Sequence, residues 1–287
     1  MPNPSHLTWL NFRHKIYRRL VYGLMAMVMA LGIGVATAQP SQAGWFELLI
    51  RGVQVVQLSN MSDAQEVDLG SGINRQIFES GGMNRYRNNS LNTYVDGIGQ
   101  ELAAVSDRPN IPYTFQIVED ESVNAFATMG GFVYVTTGLM RAADNEAELA
   151  GVIGHEIGHI VNRDAVQQMR QAAIAQGITG ALGLNRDRLV NIGTQIALRL
   201  PASRNAEYAA DQSGFNTMGR AGYDQTGMVT FMQKLVRQGS PPEFLSTHPD
   251  ANNRVTALRQ LDSEAASPAA TAGLNANAYS TRVSALR

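Results

Sequence analysis

Cysteine is absent from the 287 residues. That removes disulfides, thiolate metal sites and nucleophilic thiols together, and any metal must be held by His, Asp or Glu. The absence fits either redox compartment and selects neither. A surplus of positive charge is also missing, with 23 Lys and Arg against 24 Asp and Glu for a formal charge of −1. No internal repeat is present, which argues against an appended helical array. Histidine is scarce at five residues, and His6 and His14 lie near the N-terminus, so the rest of the chain has only His155, His159 and His248.

The N-terminus carries an export pattern. Arg13, Lys15, Arg18 and Arg19 precede an apolar run from Leu20 to Val35, followed by the small-x-small sites Ala36-Thr37-Ala38 and Ser41-Gln42-Ala43. Residues 1–43 therefore read as a bacterial-type signal peptide cleaved near 38 or 43, or as a signal anchor if the run stays in place. No cysteine follows the run, which excludes a lipoprotein. Loss of the four bases takes the formal charge from −1 to −5, and a mildly acidic mature chain has no electrostatic footprint for nucleic acid. The expected location is the periplasm or cell envelope.

The centre of the remaining chain is Ala147–Asp164, AELAGVIGHEIGHIVNRD. On a helix, His155 and His159 sit one turn apart on a single face, where both imidazoles can grip one metal ion with Glu156 beside them. Leu149, Val152, Ile153, Ile157, Ile160 and Val161 would bury the other faces, and buried polar groups without partners are costly. The bland alternative, histidines satisfied by hydrogen bonds alone, leaves their clustering unexplained.

The flanking chain reads as mainly helical. Helices are expected over residues 45–60, from Ser62 or Asp63 to Gly81-Gly82, and from Asn89 or Ser90 to before Pro109. Strands follow at Tyr113–Val118, Asn124–Thr128 and Phe132–Thr136, read as a small antiparallel sheet with a glycine hairpin. The last strand, residues Gly131, Phe132, Val133, Tyr134 and Val135, is either a substrate edge, where an extended peptide would gain backbone hydrogen bonds, or part of an ordinary hairpin that only supports the helix. Beyond the metal helix, Ala165–Gly177 is expected to continue helically. The apolar stretch 172–200 is too short in either half to cross a membrane, although shallow contact with a bilayer or an unfolded client stays open. Further helices start at Pro201 and at Asp224 or Thr226, and a loop carries Ser246–Asp250 before a short helix. From Ser263 to the end no periodicity remains, so 263–287 reads as a tail without fixed structure. A single catalytic domain is thus expected over 44–262.

Three imidazole or carboxylate ligands and one open position make a catalytic zinc site, one ion per chain. A third histidine of the extended zincin pattern is not present, so a carboxylate from a later helix is needed. Glu207 is the best candidate, because Asp211 lies one turn on and could accept from a ligating histidine. His248 is either the donor to a developing oxyanion or a fourth ligand that keeps the site latent, with Arg254 as its helper or as the residue positioning its loop.

The segments NAFATMGGFVYVTTGLM (124–140), ELAGVIGHEIGH (148–159), ExxAD (207–211) and STHPDANNR (246–254) together resemble the M48 peptidases, kin of the prenyl-protein and HtpX-like proteases within the gluzincins. The resemblance implies zinc on His155, His159 and Glu207, Glu156 as general base, and Asp211 behind the ligands. It also implies an α+β, mainly helical metallopeptidase acting on misfolded or misassembled envelope polypeptides, in a small exported branch. Thr128-Met129 and Asp164 depart from the pattern at positions expected not to touch the ligands. A zinc-stabilised chaperone or assembly adaptor is the other function considered, but it needs no base beside the metal.

Overall fold

A computed structural model describes residues 60–80, 82–175, 186–199, 202–237, 243–265 and 272–286. The export segment, most of the expected 45–60 helix and residues 176–185 lie outside it. Helix α1, Asp63–Glu79, starts where Ser62 caps it in a reciprocal pair with Gln65, satisfying two otherwise orphaned N–H groups. Helix α2, Asn89–Ala104, is capped by Asn88 and buries Leu91, Val95, Ile98 and Leu102 at helical spacing.

Strands β1 (Thr114–Val118), β2 (Ala125–Thr128) and β3 (Phe132–Thr136) form one sheet in the order β1-β3-β2. β2 and β3 are an antiparallel hairpin, but β1 runs parallel to β3, so the sheet is mixed rather than antiparallel. Alternation reports which faces are buried and is blind to strand direction. The outer edge of β1 is partly covered by residues 84–86, through Tyr86 N–H to Ile117 O and Glu119 N–H to Asn84 O, both 2.9 Å. The hairpin turn needs Gly130 and Gly131, at φ +79° and +96°; a Cβ on Gly130 would also lie 2.7 Å from the Glu66 carbonyl oxygen.

Because β3 is bonded on both sides, Gly131–Val135 presents no free edge, contrary to the substrate-edge expectation. The open edge beside the metal helix belongs to β2. Val133 and Val135 face the main core with α2 and the metal helix. Tyr134 faces the opposite side and stacks on Phe126 with centroids 4.4 Å apart, in a second core with α1.

Helix α3 (Thr137–Ala142) leads to α4 (Glu146–Val161), the metal helix, capped by Asn145 and buried around almost its whole circumference. It does not continue into the next helix. Arg163 adopts φ +57°, which interrupts the helix, and α5 starts afresh at Asp164–Ala175. The remaining helices are α6 (Arg186–Arg199), α7 (Arg204–Ala221, capped by Ser203), α8 (Thr226–Arg237), α9 (Glu243–Thr247), α10 (Ala251–Glu264) and α11 (Ala276–Arg282). No described helix is long and apolar enough to cross a membrane.

The described C-terminal residues are ordered, which corrects the expectation of a structureless tail. Gly273 O accepts from the N–H of Ala147 in the first turn of α4 at 3.0 Å, and Tyr279, Val283 and Leu286 enter the main core. A few apolar anchors suffice where backbone groups find partners, and composition averaged over the segment hides them. The Tyr279 hydroxyl donates to Met140 O at 2.6 Å. Tyr279→Phe should therefore lower unfolding free energy by about 1 kcal/mol, measured by urea denaturation; an unchanged midpoint would show that the bond contributes nothing.

Candidate metal centre

Glycine lets α4 and α7 approach closely enough to share a site. A Cβ on Gly158 would lie 2.5 Å from Ala210 O, and one on Gly214 would lie 2.7 Å from the backbone of Gly154. No larger residue fits at either crossing point. The backbones thus nearly touch, and His155 and His159 of α4 meet Glu207 and Asp211 of α7. His248 follows α9, and Arg254 reaches in from α10.

The imidazole orientations are set from behind. His155 Nδ1 is 2.8 Å from Asp211 Oδ1, and His159 Nδ1 is 2.7 Å from Asp164 Oδ2. Each carboxylate accepts a hydrogen bond, so each ring donates from Nδ1 and turns Nε2 toward the centre. The two Nε2 atoms lie only 3.1 Å apart. Two converging lone pairs repel unless a cation or a shared proton lies between them.

Glu207 completes the group, with its oxygens 3.5 Å from His155 Nε2 and 3.5 Å from His159 Nε2. His248 Nδ1 lies 3.3 Å from His155 Nε2 and 3.2 Å from Glu207 Oε1. Among the described residues, His155, His159, Glu207 and His248 bring four donor atoms within 4.8 Å of one another. Bonds of about 2.0–2.1 Å to a tetrahedral ion imply ligand separations of roughly 3.3–3.4 Å, and the observed spacings bracket that range. Both Glu156 oxygens and His248 Nε2 are buried without hydrogen-bond partners, 3.6 Å apart at Glu156 Oε1. Orphaned polar atoms beside converging ligands are what a site built for an ion and a small polar reactant leaves behind. The donor set fits a divalent metal.

Electrostatics point the same way. Four buried carboxylates, Glu156, Asp164, Glu207 and Asp211, face one buried cation, Arg254. Burial would push Glu207 up, but the charge on His248 and hydrogen bonds from all three histidines hold it well below the carboxylate range. For His159 burial acts to lower the pKa and is outweighed by Asp164 and Glu207, so the ring is raised. A carboxylate held ionised among imidazoles with raised pKa marks a negative potential that a dication would complement.

Arg254 is fully buried. It donates to Asp211 from Nε and Nη2, both at 2.7 Å, to Glu207 Oε2 at 2.5 Å, and to His248 O at 3.4 Å. It therefore locks the backs of the α7 carboxylates and the His248 loop, which is the loop-positioning role; its donors are not free to serve an oxyanion. The sequence reading also missed two features. Asp164 touches a predicted ligand directly, and the cleft wall is β2, with Phe126, Ala127 and Thr128 lining it opposite Glu156 and His159. The Asp164 contact had no local signal, since a residue five positions after His159 reaches back only because Arg163 takes a left-handed conformation.

The profile of peptidase family M48 matches residues 89–262. The chain is 30% identical over 227 residues to the beta-barrel assembly-enhancing protease of Escherichia coli K12, covering 71% of this chain and 46% of that protein. It is 35% identical over 172 residues to the mitochondrial metalloendopeptidase OMA1 of Arabidopsis thaliana, covering 56% and 34%. It is 27% identical over 179 residues to the protein of that name in Schizosaccharomyces pombe, covering 60% and 53%. The chain thus spans about half or less of the length of these relatives. The matched stretch holds both metal-facing helices, the mixed sheet and Arg254, and on this evidence the chain belongs to peptidase family M48.

Proposed function

We propose that the protein is a zinc-dependent endopeptidase of the bacterial envelope, exported by its N-terminal segment and acting on misfolded or misassembled polypeptides. The observation that carries this reading is the convergence of two oriented Nε2 atoms at 3.1 Å beside the Glu156 carboxyl group, whose oxygens have no hydrogen-bond partner. His155, His159 and Glu207 would hold the ion, and zinc bound there supplies Lewis acidity toward a peptide carbonyl and acidifies water. Glu156 accepts the proton of the attacking water and delivers it to the leaving amine, so one water is consumed per bond broken. The open edge of β2 holds the peptide backbone extended over the site. Arg254 and Asp211 keep the ligands from turning away.

For His248, the 3.2 Å and 3.3 Å approaches of Nδ1 to Glu207 and His155 favour a fourth donor that keeps the site latent. Displacement by a client segment would free the position for reaction. Casein digestion tests both points. A phenanthroline-type chelator should abolish hydrolysis and added zinc should restore it, while His248→Ala should raise turnover. Chelator-resistant digestion would sink the metal mechanism. A fall in turnover with His248→Ala would instead assign His248 to the oxyanion.

A further inference from the structure

We propose that Asp164 is a positioning residue for the metal site: it fixes the His159 ring so that its Nε2 lone pair faces the ion. This rests on the metallopeptidase reading above. The carboxylate lies 2.7 Å from His159 Nδ1, and it is buried, so water competes little for the contact. His155 has its own carboxylate in Asp211, so the centre holds two carboxylate–histidine pairs, one from α7 and one from the turn after α4.

The turn is built to deliver Asp164. Uninterrupted, the helix would carry residue 164 well around the axis from His159. Arg163 breaks it at φ +57°, a conformation that a long side chain adopts at a cost. Two contacts hold it there: Arg163 Nη2 donates to Met61 O at 2.5 Å, and its Nε lies 3.1 Å from the buried Glu66 carboxylate. Glu66 is itself gripped by Arg108 at 3.0 Å and accepts from Gly130 N–H at 3.3 Å. The strained turn is thus anchored to α1 and to the β2–β3 hairpin that walls the cleft.

A plainer role competes. Asp164 is the first residue of α5, where an acid is favourable against the helix dipole. That role predicts a change in stability and nothing at His159. The two are separated in the 287-residue chain by long-range 1H–15N correlation of the imidazoles, recorded metal-free at a pH above the raised His159 pKa, where the ring is neutral, and by zinc affinity from chelator competition.

Asp164→Ala should let His159 populate the Nε2-protonated tautomer and should weaken zinc binding about 10–100-fold, with His155 unchanged. Asp164→Asn keeps an acceptor oxygen in nearly the same shape, so it should retain the His159 tautomer and lose less affinity; it also guards against a variant that fails to fold. An unaltered His159 tautomer together with zinc affinity within about twofold of wild type in Asp164→Ala overturns the proposal. Failure of the metallopeptidase reading looks different: the wild-type chain itself takes up no zinc, while the His159 tautomer still responds to the substitution.

Discussion

Glu156→Gln should lower peptide hydrolysis by roughly two to four orders of magnitude while the protein keeps its metal. Glu156 is absent from the group of converging donors, so an isosteric amide leaves the ligands in place and removes only the base. The same substitution should stabilise the fold. Both Glu156 oxygens are buried without a hydrogen-bond partner, and desolvating a carboxyl group costs more than desolvating an amide of the same shape. Activity, metal content by mass spectrometry and thermal midpoint, measured on one preparation, give three readouts. Full activity in the glutamine variant would remove Glu156 from the mechanism. Loss of metal along with activity would mean that the carboxylate is a ligand.

Arg254→Met should be among the most destabilising single substitutions in the chain. The guanidinium is fully buried and bonded to two carboxylates, and removing one side of such a network strands the other. Breaking a buried pair in this way costs about 3–5 kcal/mol, which for a domain of this size lowers the melting temperature on the order of 10 °C. Methionine is chosen because it fills similar volume, so the loss reports charge rather than a cavity. The effect should be larger in chelator than in zinc, since an ion bound at Glu207 compensates part of the stranded charge and stabilises the fold by mass action. A midpoint in chelator unchanged from wild type would refute the bracing role.

Much of the site was legible because its signals are local. His155, Glu156 and His159 declare themselves through one-turn spacing, and Glu207 with Asp211 repeats that spacing on a second helix. The helix cap at Ser62 follows from backbone groups that need partners within three residues, whereas the helix expected from Pro201 starts at Arg204 behind the cap Ser203. His248 stood out only because few histidines exist.

What eluded the sequence depended on who meets whom across the fold. Strand alternation could not tell that β1 would pair parallel to β3, and that pairing moves the open edge from Phe132–Thr136 to Ala125–Thr128. Arg254 could not be assigned between an oxyanion and a brace until its three carboxylate bonds to α7 were visible. Asp164 became a partner of His159 because distant Glu66 and Met61 hold one arginine in a left-handed turn. By itself, then, the sequence determined the chemistry on offer: the residue types, their helical spacing and which two helices carry the candidate ligands. Only the tertiary structure decided which strand faces the cleft and which charges brace the ligands, because hydrogen-bond pairing and buried charge compensation join residues that are far apart in the chain.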